Sequence, residues 1–544
     1  MKIFRNVLFA FCVACFVATP LSAKENINKP GGNKPKVNKL NNLRAAGCDP
    51  ASSQVDLDIN NVRARLLNGG DMWWDLSNGL YEVPKDGGVS SLFAGSVWIG
   101  GIDAGGQLKV AAQTYRQSGN DFYPGPLDVN GAIDNTTCSA WDKHFIVTAV
   151  EIEQFKADFE AGNTSSIPTS ILEWPATGNT NSSIVGTYVV NAFHDEDGDG
   201  AYDPYMGDHP VLDASCATEV IPDQLIWWVY NDKGNIHGET GSEAIGIEIQ
   251  AGAFGFKTND EVNDMTFYRY KITNKSTLTL DSTYMAQWVD PDLGAYNDDY
   301  VGCDTSRELG ICYNGDAVDG PTSPNYGNEP PLIGIDFFEG PLDTAGNELG
   351  MAVFLYYNND FTIIGNPETA PHYYGYMTGT WKDATPFTDG GNGYGGSTLS
   401  NYVFPGDPAD ASGWSECTEG NTPADRRFLQ SSGPFTLLPG AVNNITIGAV
   451  WTRPKNVYPC PSFKSIQAAS DKAQALFDNC FKLMEGPTAP EVQIRELDRE
   501  LILSVHEYEL TESYEEASPE IKALMENDTS IHDSTYNFQG YIIY

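Results

Sequence analysis

Positively charged residues are scarce in this 544-residue chain, which has 32 Lys and Arg against 73 Asp and Glu and a formal net charge of -41. Nucleic acids and anionic membranes bind proteins through clustered basic side chains, so this balance argues against both as partners. After the N-terminal segment no run approaches the roughly 18 apolar residues of a membrane-spanning helix. The chain is nevertheless 41% hydrophobic and 12% aromatic, which is enough for a packed core.

The common catalytic signatures are missing as well. The sequence contains no HExxH zinc motif, no GxSxG nucleophile motif and no phosphate-binding P-loop. A glycine-rich stretch at 391–396 matches the dinucleotide fingerprint only in its letters, because no apolar strand precedes it and no helical pattern follows. A glycosidase with two catalytic acids stays open, since such acids meet in space and not in sequence. The sequence therefore leaves enzymatic activity undecided and favours a non-catalytic role.

The N-terminus indicates export from the cytoplasm. Lys2 and Arg5 precede an apolar run at 7–18, and Ala23 supplies a small residue at the cleavage position. This pattern is typical of a secretory signal peptide, here spanning 1–23. Residues 24–47 are rich in Asn, Lys, Pro and Gly and predict a flexible leader. We therefore expect a protein that passes through the periplasm and is secreted or held at the outer cell surface.

The number of cysteines agrees with an exported protein. Of ten cysteines, Cys12 and Cys15 lie in the predicted signal peptide, and the other eight form an even set that suits up to four disulfides. Among them, Cys303 and Cys312 are close enough in sequence to predict a local disulfide across a turn. No CxxC pair occurs among these eight, which disfavours a zinc ribbon or a thioredoxin-like redox site.

Short apolar and aromatic runs, broken by Gly, Asp, Asn and Pro, indicate a mainly β region over residues 48–485. The clearest predicted strands are at 96–99, 186–190, 226–230, 267–272 and 351–356. Two helices are predicted, a short one over 151–159 and an amphipathic one over 462–481. We expect an antiparallel β-sandwich protein with few helices, in which 48–485 forms two packed β-subdomains. No constant repeat occurs, which argues against solenoids and regular propellers.

The C-terminal segment, 486–544, resembles the start of a fibronectin type III domain. A proline-rich entry is followed by alternating apolar residues at 501–505 and by a strand-like segment at 538–544. A complete domain of this kind needs about seven strands, and this segment supplies about three. The resemblance therefore implies an incomplete sandwich and a truncated end.

The sharpest motif is the acidic loop His-Asp-Glu-Asp-Gly-Asp-Gly-Ala-Tyr-Asp at 194–203. Its alternating carboxylates, with glycine after the third, have the ligand spacing of a calcium loop of the EF-hand type. The predicted ligands are Asp195, Asp197, Asp199, the backbone carbonyl of Ala201 and Asp203, with Asp208 as a further one.

Met206 stands where a helical EF-hand requires a glutamate, so the loop is similar to the shorter calcium loops at hairpins of extracellular β-proteins. The predicted Ca²⁺ is structural. The alternative is an acidic surface turn without metal, because Asp and Gly are ordinary turn residues.

A second acidic cluster follows the apolar segment that ends at Val289. Its candidate metal ligands are Asp290, Asp292, Asp298, Asp299 and Asp304. Their spacing matches no loop template, so a solvated turn beside Cys303 is the alternative.

Paired aromatic residues offer candidate binding faces for sugar rings or a protein partner. They are Trp73 with Trp74, Trp227 with Trp228, and the tyrosines within 372–376. The alternative is that these side chains fill the core.

Several segments resemble a family of large secreted proteins from Bacteroidota that have no established activity. These segments are 61–64, 68–75, 93–101, 114–127, 207–210 and 298–304. Members often carry a C-terminal type IX secretion sorting domain, which is not found in this sequence. The resemblance implies an extracellular address and supplies no catalytic residues.

Together these features predict a calcium-stabilised β-scaffold, secreted or at the cell surface, that binds an extracellular glycan or protein in an adhesion or ligand-binding role. Two alternatives stay open, a secreted hydrolase acting on polysaccharide and a structural component of a surface layer or filament. A concave pocket with two carboxylates about 5–10 Å apart would indicate the hydrolase. Broad apolar patches on opposite faces would indicate assembly.

Overall fold

The computed structural model describes residues 47–181, 191–213, 219–481, 491–497, 500–506, 515–517 and 535–537. The predicted signal peptide, nearly all of the predicted leader and the predicted strands at 186–190 and 538–544 lie outside the described residues. The chain divides into two compact units, Met1–Gln474 and Ala475–Tyr544. None of the helices in the described part is long and apolar enough to cross a membrane.

Antiparallel sheets dominate the first unit, which confirms the mainly β prediction. A ten-stranded sheet contains β1 Gln54–Leu57, β2 Arg63–Leu67, β3 Asp71–Met72, β4 Tyr81–Glu82, β5 Ser90–Leu92, β6 Ala94–Asp103, β7 Leu108–Ala111, β15 Leu280–Asp290, β21 Met351–Asn358 and β22 Arg426–Leu437. A nine-stranded sheet contains β8 Tyr123–Pro124, β9 Phe145–Thr148, β12 Gln224–Asn231, β13 Ile247–Gly255, β14 Thr266–Asn274, β16 Asp299–Asp304, β17 Leu309–Asn314, β20 Leu332–Glu339 and β23 Val442–Thr452.

Two short ladders complete the strands of this unit. One pairs β10 Phe193–His194 with β11 His209–Pro210, and the other pairs β18 Val318–Asp319 with β19 Gly327–Asn328. The described helices are α1 Asn135–Trp141, α2 Ala149–Glu160, α3 Thr169–Leu172, α4 Ala370–Thr378, α5 Glu416–Glu419 and α6 Lys464–Asp478. Both predicted helices are thus present, as α2 and α6. A capping box between Thr148 and Glu151 starts α2.

The two large sheets pack against each other and share a hydrophobic core. Trp73, next to β3, donates its indole N–H to the hydroxyl of Tyr268 on β14 at 2.8 Å. From the nine-stranded sheet to the ten-stranded sheet, Trp451 of β23 donates its indole N–H to the hydroxyl of Ser91 on β5 at 3.1 Å. The two sheets are therefore layers that share one hydrophobic core, as in a β-sandwich.

Disulfides join Cys48 to Cys138 and Cys417 to Cys460. The predicted disulfide between Cys303 and Cys312 is wrong, because both thiols are free and buried. Cys303 of β16 stands opposite Gly310, whereas Cys312 of β17 stands opposite Val301. The two cysteines are therefore diagonal neighbours, and diagonal Cα atoms lie about 7–8 Å apart, beyond the usual span of a disulfide.

The second unit contains two antiparallel pairs among its described residues. One joins β24 Glu491–Leu497 to β25 Glu500–His506, and the other joins β26 Glu515–Ala517 to β27 Thr535–Asn537. The alternating residues at 501–505 lie on β25, so the strand predicted there is present.

Candidate functional site

The acidic loop connects the two strands of the β10–β11 ladder. His194 pairs with His209 and Phe193 pairs with Pro210, so the chain between them must turn back on itself. All six calcium ligands predicted from the sequence lie in this connection. The ladder therefore confines the loop carboxylates to the short connection between its two strands.

Hydrogen bonds within the loop turn its carboxylates inward. Asp195 accepts from the backbone N–H groups of Gly198 and Gly200, at 2.8 and 2.9 Å. Asp197 accepts from the N–H of Asp199 at 3.2 Å. Both glycines have positive φ, +75° and +79°, a conformation that side chains with a Cβ disfavour. The sequence order of acid and glycine thus sets the turn.

Asp208 closes the loop. Its buried carboxylate accepts from the N–H of Glu196 at 2.9 Å and from that of Asp203 at 2.8 Å, so it ties the two ends of the loop together. Burial and the nearby charges of Asp195 and Asp197 raise the pKa of Asp208. Carboxylate oxygens of Asp195, Asp197 and Asp208 all lie within 4.8 Å of one another. This group of three is called the loop site.

The other predicted ligands have different partners. Asp199 accepts from the N–H of Ala201 at 2.7 Å, and Asp203 accepts from that of Tyr205 at 3.0 Å. Asp203 thereby caps the short 3-10 turn Pro204–Met206. Within the described chain, neither carboxylate joins the group formed by the loop site.

Neighbouring elements hold the loop in place. The Tyr202 side chain is buried and donates its hydroxyl proton to the carbonyl of Ile171 on α3 at 2.6 Å. Gly207 packs so closely on Phe159 of α2 that an added Cβ would lie 2.8 Å from its ring. The loop is thus seated on two helices and is not a free surface turn.

Beside the loop, His194 and His209 stack with ring centroids 4.7 Å apart, and His209 hydrogen-bonds to Glu219. One ligand atom from each of these three residues lies within 4.8 Å of the others. The register of the ladder brings the two histidines together, although they are far apart in sequence. Imidazole nitrogens suit borderline metals such as zinc rather than Ca²⁺. Here, however, Lys156 already donates to Glu219 at 2.6 Å.

Charge pairing dominates the electrostatics of Glu219. Burial raises its pKa, but hydrogen bonds from His209 and Lys156 bring the pKa down to about 2. The carboxylate is therefore ionised and paired at neutral pH.

The second acidic cluster lies at one end of the ten-stranded sheet. Asp290 is the last residue of β15, and Asp425 immediately precedes the neighbouring strand β22. With Asp292 they place one carboxylate oxygen each within 4.8 Å of the others. This group is called the buried cluster. The sequence pointed to Asp290 and Asp292 and missed Asp425, which only strand pairing brings close.

The remaining residues predicted for this cluster have other partners. Asp298 accepts from the N–H of Gly320 at 3.0 Å, and Asp299 accepts from that of Leu293 at 3.1 Å. Asp304 pairs with Arg307 at 2.9 Å and also accepts from Gln467. Asp304 therefore serves a surface ion pair.

The aromatic pairs are core residues. Trp73, Trp74, Trp227 and Trp228 are each at most 5% exposed. Tyr373 and Tyr376 are also buried, on the face of α4 that packs on the sheet. The interpretation of these side chains as core residues is therefore confirmed, and Trp227 in addition lines a cavity.

A cavity of about 410 Å³ opens on one face of the nine-stranded sheet. Its polar lining includes Gln250, Arg269, Lys271 and Asn444, beside the edge of Trp227. Among its described lining residues Asp213 is the one carboxylate, and it pairs with Arg269. The described lining therefore does not contain the two acids that a glycosidase requires.

Comparisons with known proteins add no assignment. No family model matches the chain, and none of the curated proteins compared with it matches. Function is therefore inferred from the loop site and the cavity.

Proposed function

We propose that the protein is a calcium-stabilised β-scaffold, secreted or at the cell surface, with an adhesion or ligand-binding role. The observation that carries this proposal is the loop site, where Asp195, Asp197 and Asp208 bring carboxylate oxygens within 4.8 Å of one another. Calcium binds oxygen at about 2.3–2.6 Å, so ligands on opposite sides of one ion are about 5 Å apart. The spacing fits a shared ion.

The donor set favours calcium over other metals. All three side chains offer hard oxygen ligands, the type that Ca²⁺ prefers. A cation in the loop site would offset the repulsion between like charges in a protein with a net charge of -41. Because the unfolded chain lacks the site, calcium would stabilise the fold by mass action.

The cavity supports the ligand-binding part of the proposal. Arg269, which pairs with Asp213, and Lys271 place two cationic side chains in a concave site of an otherwise acidic protein. Amide groups of Gln250 and Asn444 add hydrogen-bond donors and acceptors. This lining suits an extracellular glycan or peptide that carries carboxylate or sulfate groups. With a single carboxylate present, binding fits the cavity better than hydrolysis.

The experiment is thermal unfolding of the metal-stripped protein during a Ca²⁺ titration. We expect the midpoint to rise in the parent, by the equivalent of about 2.7 kcal/mol at a hundred-fold excess over Kd. The double variant Asp195→Asn/Asp197→Asn should lose the part of this response that the loop site supplies.

Asp343→Asn is the matched control, because Asp343 is an exposed turn aspartate whose carboxylate also accepts backbone N–H bonds. It should keep the full response to Ca²⁺. The proposal fails if Ca²⁺ leaves the midpoint of a well-folded, verified metal-free parent unchanged, or if Mg²⁺ at equal concentration has the same effect.

A further inference from the structure

The buried cluster is enclosed far more completely than the loop site. Asp290 is 1% exposed and Asp292 is 8% exposed, whereas Asp195 and Asp197 are at the surface. The cluster lies where β15 ends and its neighbour β22 begins. Asp290 and Asp292 therefore have little access to the water that would otherwise solvate their charge, and the Asp425 side chain is 15% exposed.

The cations inside the protein do not balance this cluster. Arg427 contacts Asp290 at 3.2 Å and also pairs with Asp425. Tyr115 donates its hydroxyl proton to Asp290 at 2.5 Å and accepts from Arg427 at 2.8 Å. Three carboxylates against one guanidinium leave a net charge of about -2, and burying unpaired charge is strongly unfavourable.

Two oxygens point to a missing ligand. Asp290 Oδ2 receives both the tyrosine and the arginine, while buried Asp290 Oδ1 accepts no hydrogen bond from any described residue. Asp292 Oδ1 is likewise buried without a donor in the described chain. Buried carboxylate oxygens are nearly always satisfied in folded proteins. These two are satisfied at once by a cation placed among the three carboxylates.

Neighbouring charges increase the demand for a cation. Burial raises the pKa of Asp290 and of Asp292, and Arg427 offsets this only in part. The Oδ1 of Asp299 is also buried without a donor in the described part. Burial raises the pKa of Asp299, and the charge of Asp292 contributes to the rise. Protonation is thus the competing way to neutralise the cluster.

We propose that Asp290, Asp292 and Asp425 bind a second, buried Ca²⁺ that joins the end of β15 to the start of β22. Oxygen is the only ligand type these side chains offer, which excludes a site built for zinc. The enclosed position leaves little room for the waters that Mg²⁺ retains, which favours Ca²⁺. This site is independent of the loop site and of the proposed function.

The test measures bound calcium by mass spectrometry in the full chain, purified without chelator and passed through a desalting column. We expect two Ca²⁺ per parent chain. The loop variant Asp195→Asn/Asp197→Asn should keep one Ca²⁺, held in the buried cluster. The variant Asp292→Asn should also keep one, held in the loop site.

The loop variant makes the test independent of whether Asp292→Asn folds, because it leaves every residue of the buried cluster unchanged. A loop variant without Ca²⁺, in a chain whose parent binds one ion, overturns the buried site and leaves the loop site standing. A parent whose one Ca²⁺ is lost in Asp292→Asn and kept in the loop variant supports the buried site and refutes the loop site.

Protonation is distinguished by a stability measurement on the same proteins. If a proton neutralises the cluster, Asp292→Asn should fold with unchanged calcium content and equal or higher stability, and the proposal is then wrong. If calcium neutralises it, removal of Ca²⁺ by a strong chelator should lower the unfolding midpoint of the loop variant. A midpoint unaffected by the chelator would contradict the proposal.

Discussion

The imidazole of His237 lies 3.6 Å from the carboxylate of Asp121, and both side chains are fully buried. Its two ring nitrogens are 2.9 and 2.8 Å from the carbonyl oxygens of Val110 and Asp232. Because carbonyl oxygens only accept, both nitrogens must carry hydrogen, and the ring is an imidazolium. The carboxylate of Asp232, also 3.6 Å away, completes its charge balance.

This buried imidazolium predicts a pH dependence of stability. Burial lowers the pKa of His237, but the charges of Asp121 and Asp232 outweigh it, so the pKa is raised overall. The folded state then binds more protons than the unfolded state, so the contribution is complete below about pH 6.5 and disappears as the pH rises through the folded pKa. The free energy of unfolding should therefore fall above pH 6.5 by a step that His237→Gln removes.

Denaturant unfolding between pH 6 and 9 measures this step. His372→Gln is the control, because burial lowers the pKa of His372, which is the opposite of the shift at His237. Equal pH slopes in the parent and in His237→Gln would show that the ring is not charged.

Asp208 should control calcium binding although it lies beyond the motif. Its carboxylate both enters the loop site and holds the N–H groups of Glu196 and Asp203. We expect Asp208→Asn to weaken Ca²⁺ binding tenfold or more, about 1.4 kcal/mol, as measured by calorimetric titration. Unchanged affinity would mean that the loop ligates calcium without Asp208.

Substitution of Gly207 tests whether the packing of the loop against α2 affects stability and calcium binding. It has φ +107°, and an added Cβ would meet the ring of Phe159 at 2.8 Å and Glu196 at 3.0 Å. We expect Gly207→Ala to lower stability by about 1–3 kcal/mol and to weaken Ca²⁺ binding. Gly106→Ala is the matched control, since Gly106 has φ +78° but open space around it. Equal losses in both variants would show that backbone strain alone is responsible.

Cys303 and Cys312 should behave as buried thiols. Burial raises the pKa of both well above the ordinary value, so neither forms the reactive thiolate in the folded state. A thiol-specific reagent should leave both untouched until the protein is denatured without reductant. The variant Cys303→Ala/Cys312→Ala should then release two fewer thiols than the parent. Equal counts would mean that the two cysteines are bonded after all.

The cavity predicts binding of acidic glycans. Arg269→Gln and Lys271→Gln should each reduce binding to a sulfated or carboxylated polysaccharide several-fold at low salt, and added salt should weaken the parent. Lys455→Gln, an exposed lysine away from the cavity lining, changes the net charge equally and serves as control. Binding that is equal in all four proteins would place the ligand elsewhere.

Local patterns could be predicted from the sequence, and contacts between distant segments could not. Alternating β-branched and aromatic residues identify strands such as β12 and β14, because that chemistry is local. The spacing of Asp195 and Asp197 likewise identifies part of the loop site. Asp425 joins Asp290 only because β22 pairs with β15, and no residue near Asp425 signals that pairing.

The same limit explains the errors. Cys303 and Cys312 are close in sequence, yet the β16–β17 register sets them diagonally. His194 and His209 show the opposite case. They are distant in sequence, yet the ladder places them directly opposite each other. One residue of register decides between a contact and its absence, and the sequence does not encode the register in any short motif.

The β10–β11 ladder contains just two residue pairs, and it supports a connection rich in like charges. Free calcium is scarce in the cytoplasm and plentiful outside the cell. With the ion bound as proposed, this hairpin would close only after the chain had crossed the membrane. The higher calcium concentration outside the cell would then trigger the final step of folding. The chain would stay flexible during transport and become rigid after it.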